Sequence, residues 1–485
     1  MDMSITANRY CIVGAGPAGL VAARALRREG IPFDHFERHG DVGGIWDPGN
    51  PGSPMYDSAH FISSKWTSGF YGLPMPDHYP DYPNHRQLLE YIRAFAREFG
   101  LYEHITFNTA VESAELDGED WLVRLAGGET RRYQGLICAP GTVWHPNIPS
   151  IKGMDRFSGE LRHTVTYRHP DEFRGKRVLI LGGGNSGADI ACDAAVSADQ
   201  AFYSVRRGYR YCPKFVFGVP LDVFINEGSE LPPGVVVPAD PSELLDVIVG
   251  DLTRFGLPAP DHPALASHPI LNVQILHHLA HGDITAKPDV VELTPTGAIF
   301  ADGSEEQLDF VLLATGYDWR IPFVAESVFE WKEKHPQLYL NVFHRSIDNL
   351  YVLGMIEFAS AAYRRFDEMA QLVVGDIKAT ITGENKQRLR KLKATHRPDL
   401  RDGMHYIDSP RHANYVEVHT YVEVLAELRR ELRWPEIDDS SYDSLRAAPT
   451  DLTQRRPAGA PDGILPTHRD RSIHLDIIGS DAVEY

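Results

Sequence analysis

The chain has 485 residues, 43% hydrophobic and 24% charged, the make-up of a globular protein large enough for two or three domains. Its 67 acidic and 48 basic side chains give a formal charge of −19, which repels phosphate backbones and argues against nucleic acid as a partner. No apolar run approaches the ~20 residues that span a bilayer, and Cys11, Cys138, Cys192 and Cys212 never stand at C-x-x-C spacing, so a membrane span, a redox dithiol and a zinc knuckle are excluded.

Arg9 to Val13 reads as a short strand that stops at Gly14-Ala15-Gly16-Pro17-Ala18-Gly19, after which Leu20 to Arg28 continues with helical periodicity. A glycine loop this early leaves no room for a signal peptide, so the protein reads as cytoplasmic. In a strand–loop–helix unit Gly14 and Gly16 let the backbone turn and approach a pyrophosphate, Gly19 lets helix and strand pack, and the helix N-terminus favours phosphate. Phe33 to Phe36 reads as the second strand and ends at Glu37, whose carboxylate suits both hydroxyls of an adenosine ribose. Gly43-Gly44-Ile45-Trp46 follows as a turn, then a stretch rich in aromatics and proline from Tyr56 to Leu101 that contains Ile62-Ser63-Ser64-Lys65 and a helix over Arg86 to Phe99. Alternation from Thr109 to Leu125 predicts a small β-meander, with Val111 at its head counted among the cofactor-binding positions, and Leu136 to Gly141 predicts another strand.

A second unit repeats the logic of the first: Lys176 to Leu181, then Gly182-Gly183-Gly184-Asn185-Ser186-Gly187, then a helix to Ser197. It differs after Ser204, where Val205 takes the place of a ribose carboxylate and Arg206 and Arg207 follow. Such cationic forks favour a cofactor with a 2′-phosphate, so NADPH is expected over NADH. Gly208 to Pro288 shows no clear pattern. His277, His278 and His281 lack the glutamate of an H-E-x-x-H site and read as packing or surface residues, so no metal is expected. Leu308 to Leu313 reads as a strand running into Thr315, Gly316 and Tyr317, Asn349 to Gly354 as another, and Tyr363 to Thr382 and Tyr415 to Leu432 as helices.

Phe157, Gly159, His163 and Tyr167 form F-x-G-x-x-x-H-x-x-x-Y just before the second glycine loop, which resembles the fingerprint of flavin-containing monooxygenases. The resemblance covers Gly43-Gly44-Ile45-Trp46, which that family places beside the flavin, and thins after about Trp434. It implies an α/β chain with two dinucleotide-binding, Rossmann-like domains in glutathione-reductase-like order. On that reading residues 1–168 and 314–434 hold FAD, residues 169–313 hold NADPH, and 435–485 form an arm or tail. Gly14, Gly16, Gly19, Glu37, Gly44, Trp46 and Val111 then serve FAD, whereas Gly182, Gly184, Asn185, Ser186, Gly187, Ser204, Arg206 and Arg207 serve NADPH, with Thr315, Gly316 and Tyr317 at the second crossing between domains. The family's Asn three residues before Lys is replaced here, which makes Ser63 and Ser64 the candidate catalytic hydroxyls. The activity implied is NADPH- and O2-dependent oxygenation, through a flavin C4a-hydroperoxide, of an amine nitrogen or sulfide of a small molecule. Baeyer–Villiger oxidation of a ketone is the second reading, set back by Tyr167 standing where that family's signature ends in Trp-Pro, and a catalytically idle flavin sensor is the third. A homo-oligomer is compatible with all three.

Overall fold

A computed structural model describes residues 4–5, 8–227, 236–238 and 240–446; the tail beyond 446 lies outside the described residues. Two five-stranded parallel sheets organise the chain. In the first, the spatial order is Leu350–Val352, Gly135–Cys138, Tyr10–Val13, Phe33–Phe36, Ile105–Thr106. The second runs Glu160–His163, Phe310–Leu313, Arg177–Leu181, Gln200–Ser204, Ile284–Lys287. The central strands are continuous apolar runs because packed cores cover both faces of each sheet. A three-stranded meander, Val111–Asp117, Asp120–Leu125 and Thr130–Tyr133, buries Trp121 against the first sheet.

Helix α1, Pro17–Arg28, follows the first strand, buries Gly19 to Leu26, and places Arg27 and Arg28 at its C-terminal end, where the helix dipole favours cations. Helix α2, His85–Glu98, starts at a capping box in which Asn84 and Gln87 satisfy each other's backbone amides. The long helix Tyr363–Thr382 has the bounds its periodicity predicts and packs along α1. Between them Arg24 is fully buried, 2.5 Å from Asp367, with its guanidinium over the rings of Phe95, Phe99 and Tyr442 at 4.5, 4.5 and 3.6 Å. Burial pushes the Asp367 carboxyl up, with Arg24 the chief opposing influence.

Four segments depart from the sequence-based expectation. Glu160–His163, counted with the first domain, pairs with Phe310–Leu313 as the edge strand of the second sheet, and Tyr167 lies in the second sheet's core; the crossing therefore precedes residue 160. The unpatterned region beyond Gly208 contains the helices Leu221–Glu227 and Pro241–Val249, short and set among prolines, while the three histidines lie on the helix expected for them, Gln274–His281. A helix at Lys386–Thr395 has almost no apolar stripe and is anchored by Leu389 and by buried Lys393, 3.0 Å from Asp376. Residues 435–446, expected to begin an arm, pack on the first domain: Tyr442 is fully buried, its hydroxyl 2.6 Å from Gln371.

Candidate functional site

The first glycine loop lies at the carboxyl edge of the first sheet. Gly14 has φ +103°, and a side chain there would collide with the Ala139 carbonyl. A Cβ on Gly19 would overlap the Gly14 carbonyl oxygen, so this glycine lets α1 touch its strand. Gly16 caps α1 without any side-chain cap, so among the described residues no capping side chain takes up the amides of the first turn. Gly44, at φ +58°, lies so close that its Cβ would stand 3.1 Å from Gly16 Cα, and Gly43 N donates to Ala15 O at 3.2 Å. The short turn Gly44–Trp46 sets Trp46 edge-on to Phe61 at 5.4 Å.

Glu37 faces the same loop, almost completely buried. Its Oε2 accepts from Ala15 N at 2.6 Å and its Oε1 from His39 N at 2.9 Å, so backbone fixes one lone pair of each oxygen and each oxygen keeps capacity for a further donor. Thr109 N donates to the main-chain carbonyl of Glu37 at 2.9 Å, which ties the start of the strand at Val111 to the end of the second strand. Beneath the loop, His35 Nε2 donates to Gly14 O at 2.8 Å while buried Nδ1 has no partner among the described residues, and burial lowers the His35 pKa to about 4. An uncapped helix end, a glycine cradle and a buried acid together fit the diphosphate and ribose of a dinucleotide.

The second loop repeats this construction. Gly182 has φ +128° against the Ala314 carbonyl, and a Cβ on Gly187 would overlap the Gly182 carbonyl as that of Gly19 overlaps Gly14. Gly184 caps α3, Asn185–Ser197, with no side-chain cap and with nothing within 4 Å of where its Cβ would be. The expected ligand residues divide at this point. Both ends of the Asn185 amide are used on the protein, donating to Pro269 O and accepting from Leu271 N at 2.9 Å each. Ser204 is buried and donates to Pro288 O at 2.6 Å, and Ser186 lies by the Tyr56 hydroxyl. Arg206 is exposed, whereas Arg207 is paired at 2.9 Å with Asp261, a residue the sequence analysis did not single out, and its buried Nε has no partner among the described residues.

The two passages of chain between the domains pair with each other: His145–Pro146 and Tyr317–Asp318 form a two-stranded ladder, and Thr315 Oγ1 donates to Asn147 O at 2.6 Å. The fingerprint residues serve this junction. Gly159 leaves room for the Phe157 ring, His163 Nε2 meets Gly316 O at 3.0 Å, and His163 lies edge-on to Tyr317 at 5.0 Å. Tyr167 is fully buried, stacked on Phe173 at 4.9 Å, and donates to Asp193 at 2.9 Å. Asp193 also accepts from Ser58 at 2.6 Å, and Asp189 one turn earlier accepts from Tyr56 at 3.2 Å and Asn272 at 2.6 Å; burial pushes both carboxyls up. Segment 55–59 of the first domain is thus bolted to α3.

Ser63 and Ser64 are buried. Ser63 Oγ accepts from Ser68 Oγ at 2.9 Å, which leaves its own proton to be given elsewhere. The backbone and hydroxyl of Ser64 both donate to Asp222 Oδ2, at 2.8 and 3.0 Å, and Thr67 donates to the same oxygen. Lys65 gives its ammonium to the carbonyls of Asp77 and Tyr79 at 2.7 Å each. The four cysteines are buried and unpaired, and burial raises the Cys192 thiol to about 12. His278 meets Asp283 at 3.0 Å, as an acid–base pair on the outside of its helix.

The sequence matches the flavin-binding monooxygenase-like family over residues 7–432. It is 31% identical over 448 residues to flavin-containing monooxygenase 5 of Homo sapiens, covering 87% of this chain and 83% of that one. It is 32% identical over 373 residues to an N-oxide-forming dimethylaniline monooxygenase 2 of Pan troglodytes, covering 72% and 70%. Among solved structures, S-allyl-L-cysteine S-oxygenase from Allium sativum superposes with a TM-score of 0.60 at 19% identity, over 92% of this chain and 93% of that one, a likeness of fold.

Proposed function

The chain belongs to the flavin-containing monooxygenase family, an NADPH- and O2-dependent class of oxidoreductase with FAD and NADPH as cofactors, and from that premise we propose that it oxygenates a nucleophilic nitrogen or sulfur of a small molecule. The observation that carries the reading is its 32% identity, across 72% of the chain, to a relative named for N-oxide formation. FAD belongs at the first glycine loop, held by the Gly16 end of α1 and by Glu37, with residues up to about the crossing and 314–434 forming its domain. NADPH belongs at the Gly184 end of α3, near Arg206 and Arg207.

When bound, FAD supplies the redox chemistry: it takes the hydride of NADPH and, with O2, makes an oxygen atom available for transfer. The protein's part is binding, orientation and exclusion of water. The uncapped amides at Gly16 hold negative charge, Glu37 fixes the ribose, and Trp46 and Phe61 form an apolar wall beside the loop. An amine or sulfide attacks an electrophilic, neutral oxygen donor, so the site needs a hydroxyl that donates without carrying charge. Ser63, with its oxygen already accepting from Ser68, is suited to give that hydrogen bond. Ser64 is committed to Asp222 and positions the loop.

A panel of tertiary amines, sulfides and cyclic ketones, followed for NADPH consumption and for N-oxide, sulfoxide and lactone, tests the reading. N-oxide or sulfoxide is expected as the main product. Lactone as the main product would overturn it in favour of ketone oxidation. Among the described residues no helix is long and apolar enough to cross a membrane.

A further inference from the structure

Beyond the strand Gln200–Ser204 the chain runs alongside the segment that begins at Ala259. Gly208 bridges Pro260, and a Cβ on Gly208 would collide with the Ala259 carbonyl and stand 2.6 Å from Pro260 N, so the two backbones touch. This contact sets Arg207, one residue before Gly208, against Asp261, one residue after Pro260. Guanidinium and Asp261 Oδ2 are 2.9 Å apart, with the side chains 25% and 50% exposed. The other carboxylate oxygen is 2.7 Å from His262 Nδ1, and His262 Nε2 is 2.7 Å from Ser267 Oγ; both of these residues are buried. Asp261 is therefore fixed from behind and presented in front to Arg207 and solvent. Val205 and Tyr209, on either side of the arginines, both pack on Gly183, so the cluster flanks the second glycine loop.

A Rossmann unit that reads a ribose diol does so with an acid at the end of its second strand. Here that position is Val205, yet Asp261 brings a carboxylate from a distant loop to Arg207, two residues further along the chain. We propose that Asp261 is the specificity-determining carboxylate of the nicotinamide-cofactor site: it accepts from the 2′-hydroxyl of NADH and opposes the 2′-phosphate of NADPH, so that the site takes both cofactors and Asp261 sets their ratio. The proposal rests on the assignment of this loop to the nicotinamide cofactor. With NADPH the phosphate competes with Asp261 for Arg207 while exposed Arg206 is available throughout; with NADH the Arg207–Asp261 pair stays closed and neutral.

The test uses the FAD-loaded enzyme and calorimetric titration with adenosine 2′,5′-bisphosphate and with ADP, alongside kcat/KM for NADPH and NADH. Asp261→Asn keeps shape and removes charge. Taking one negative charge away from a phosphate a few ångströms off changes affinity by about tenfold in a half-exposed setting, and losing a charged acceptor weakens the hydroxyl ligand by about tenfold or less. The bisphosphate should bind more tightly, ADP more weakly, and the NADPH-to-NADH ratio of kcat/KM should rise between about ten- and a hundredfold. A ratio that stays put or falls overturns the proposal. The Arg206→Ala/Arg207→Ala double variant separates the two levels of the argument. Equal weakening of both ligands removes the site assignment and the proposal with it. Selective weakening of the bisphosphate, with an unmoved ratio in Asp261→Asn, keeps the assignment and removes the role of Asp261.

Discussion

Alanine at Gly16 and alanine at Gly19 separate what the first glycine loop does for the protein from what it does for a ligand. A Cβ on Gly16 meets nothing nearer than Gly44 Cα at 3.6 Å, an ordinary contact, and its φ of −76° with ψ of −179° is open to any residue. At Gly19 the added carbon overlaps the Gly14 carbonyl oxygen and stands 2.9 Å from its carbon and 3.3 Å from His35 Nε2, so α1 has to lift from its strand. Overpacking of that kind costs about 1–3 kcal/mol, or roughly 2–12 °C in melting temperature for a domain of ~150–250 residues. Gly16→Ala should melt as the parent does when both are stripped of flavin. It should nonetheless hold FAD more weakly by about 10- to 150-fold, the loss of one charge-assisted hydrogen bond of roughly 1.5–3 kcal/mol between loop amide and phosphate. Flavin absorbance per protein and calorimetric FAD titration, with thermal melts by circular dichroism, read both quantities. Full FAD affinity in Gly16→Ala, or a melt as low as that of Gly19→Ala, would refute the assignment of this loop.

In Glu37→Gln one acceptor oxygen becomes a donor facing either Ala15 N or His39 N; FAD dissociation should quicken and affinity fall by about 10-fold or more, measured by flavin release on dilution. Ser63→Ala should divert NADPH consumption into hydrogen peroxide at the expense of product, and Ser64→Ala should do so less; unchanged coupling in both would remove these hydroxyls from the reaction. His35 supplies a pH signature. Its folded pKa of about 4 lies below the unfolded value, so the unfolded chain binds the extra proton between about pH 6.5 and 4, and stability is lost as pH falls through that window, by roughly 3 kcal/mol for this group. Urea midpoints against pH should fall less steeply in His35→Gln than in the parent; equal slopes would show that His35 is not buried neutral.

What was legible in the sequence was what repeats or alternates locally. The glycine loops, the acid at Glu37 and the helix Tyr363–Thr382 are carried by spacing within a few turns of chain. The edge strand Glu160–His163 escaped because Glu160 and Arg162 give it no apolar alternation; it forms through pairing with Phe310–Leu313. Lys386–Thr395 escaped for the related reason that a buried ion pair anchors it in place of an apolar face. At the candidate site, Asp261 lies 54 residues from the arginine it meets, and Asp222 lies 158 from Ser64, each on a loop or short helix whose place is set by distant contacts. Asn185 adds a role the motif did not show: its side chain fastens the neighbouring loop through Pro269 and Leu271.

The buried guanidinium of Arg24 has a consequence for the order in which the nascent chain can fold. Its carboxylate partner, Asp367, is synthesised 343 residues later, and the ring that closes over it, Tyr442, later still. At ~5–20 residues per second a ribosome takes roughly 20–70 s to bridge that gap. All five strands of the second sheet are complete by Leu313, so the later-starting domain can finish first. Helix α1 meanwhile waits with a cation and an apolar face to cover, which makes the first domain the one exposed to holdase chaperones and premature cleavage during synthesis.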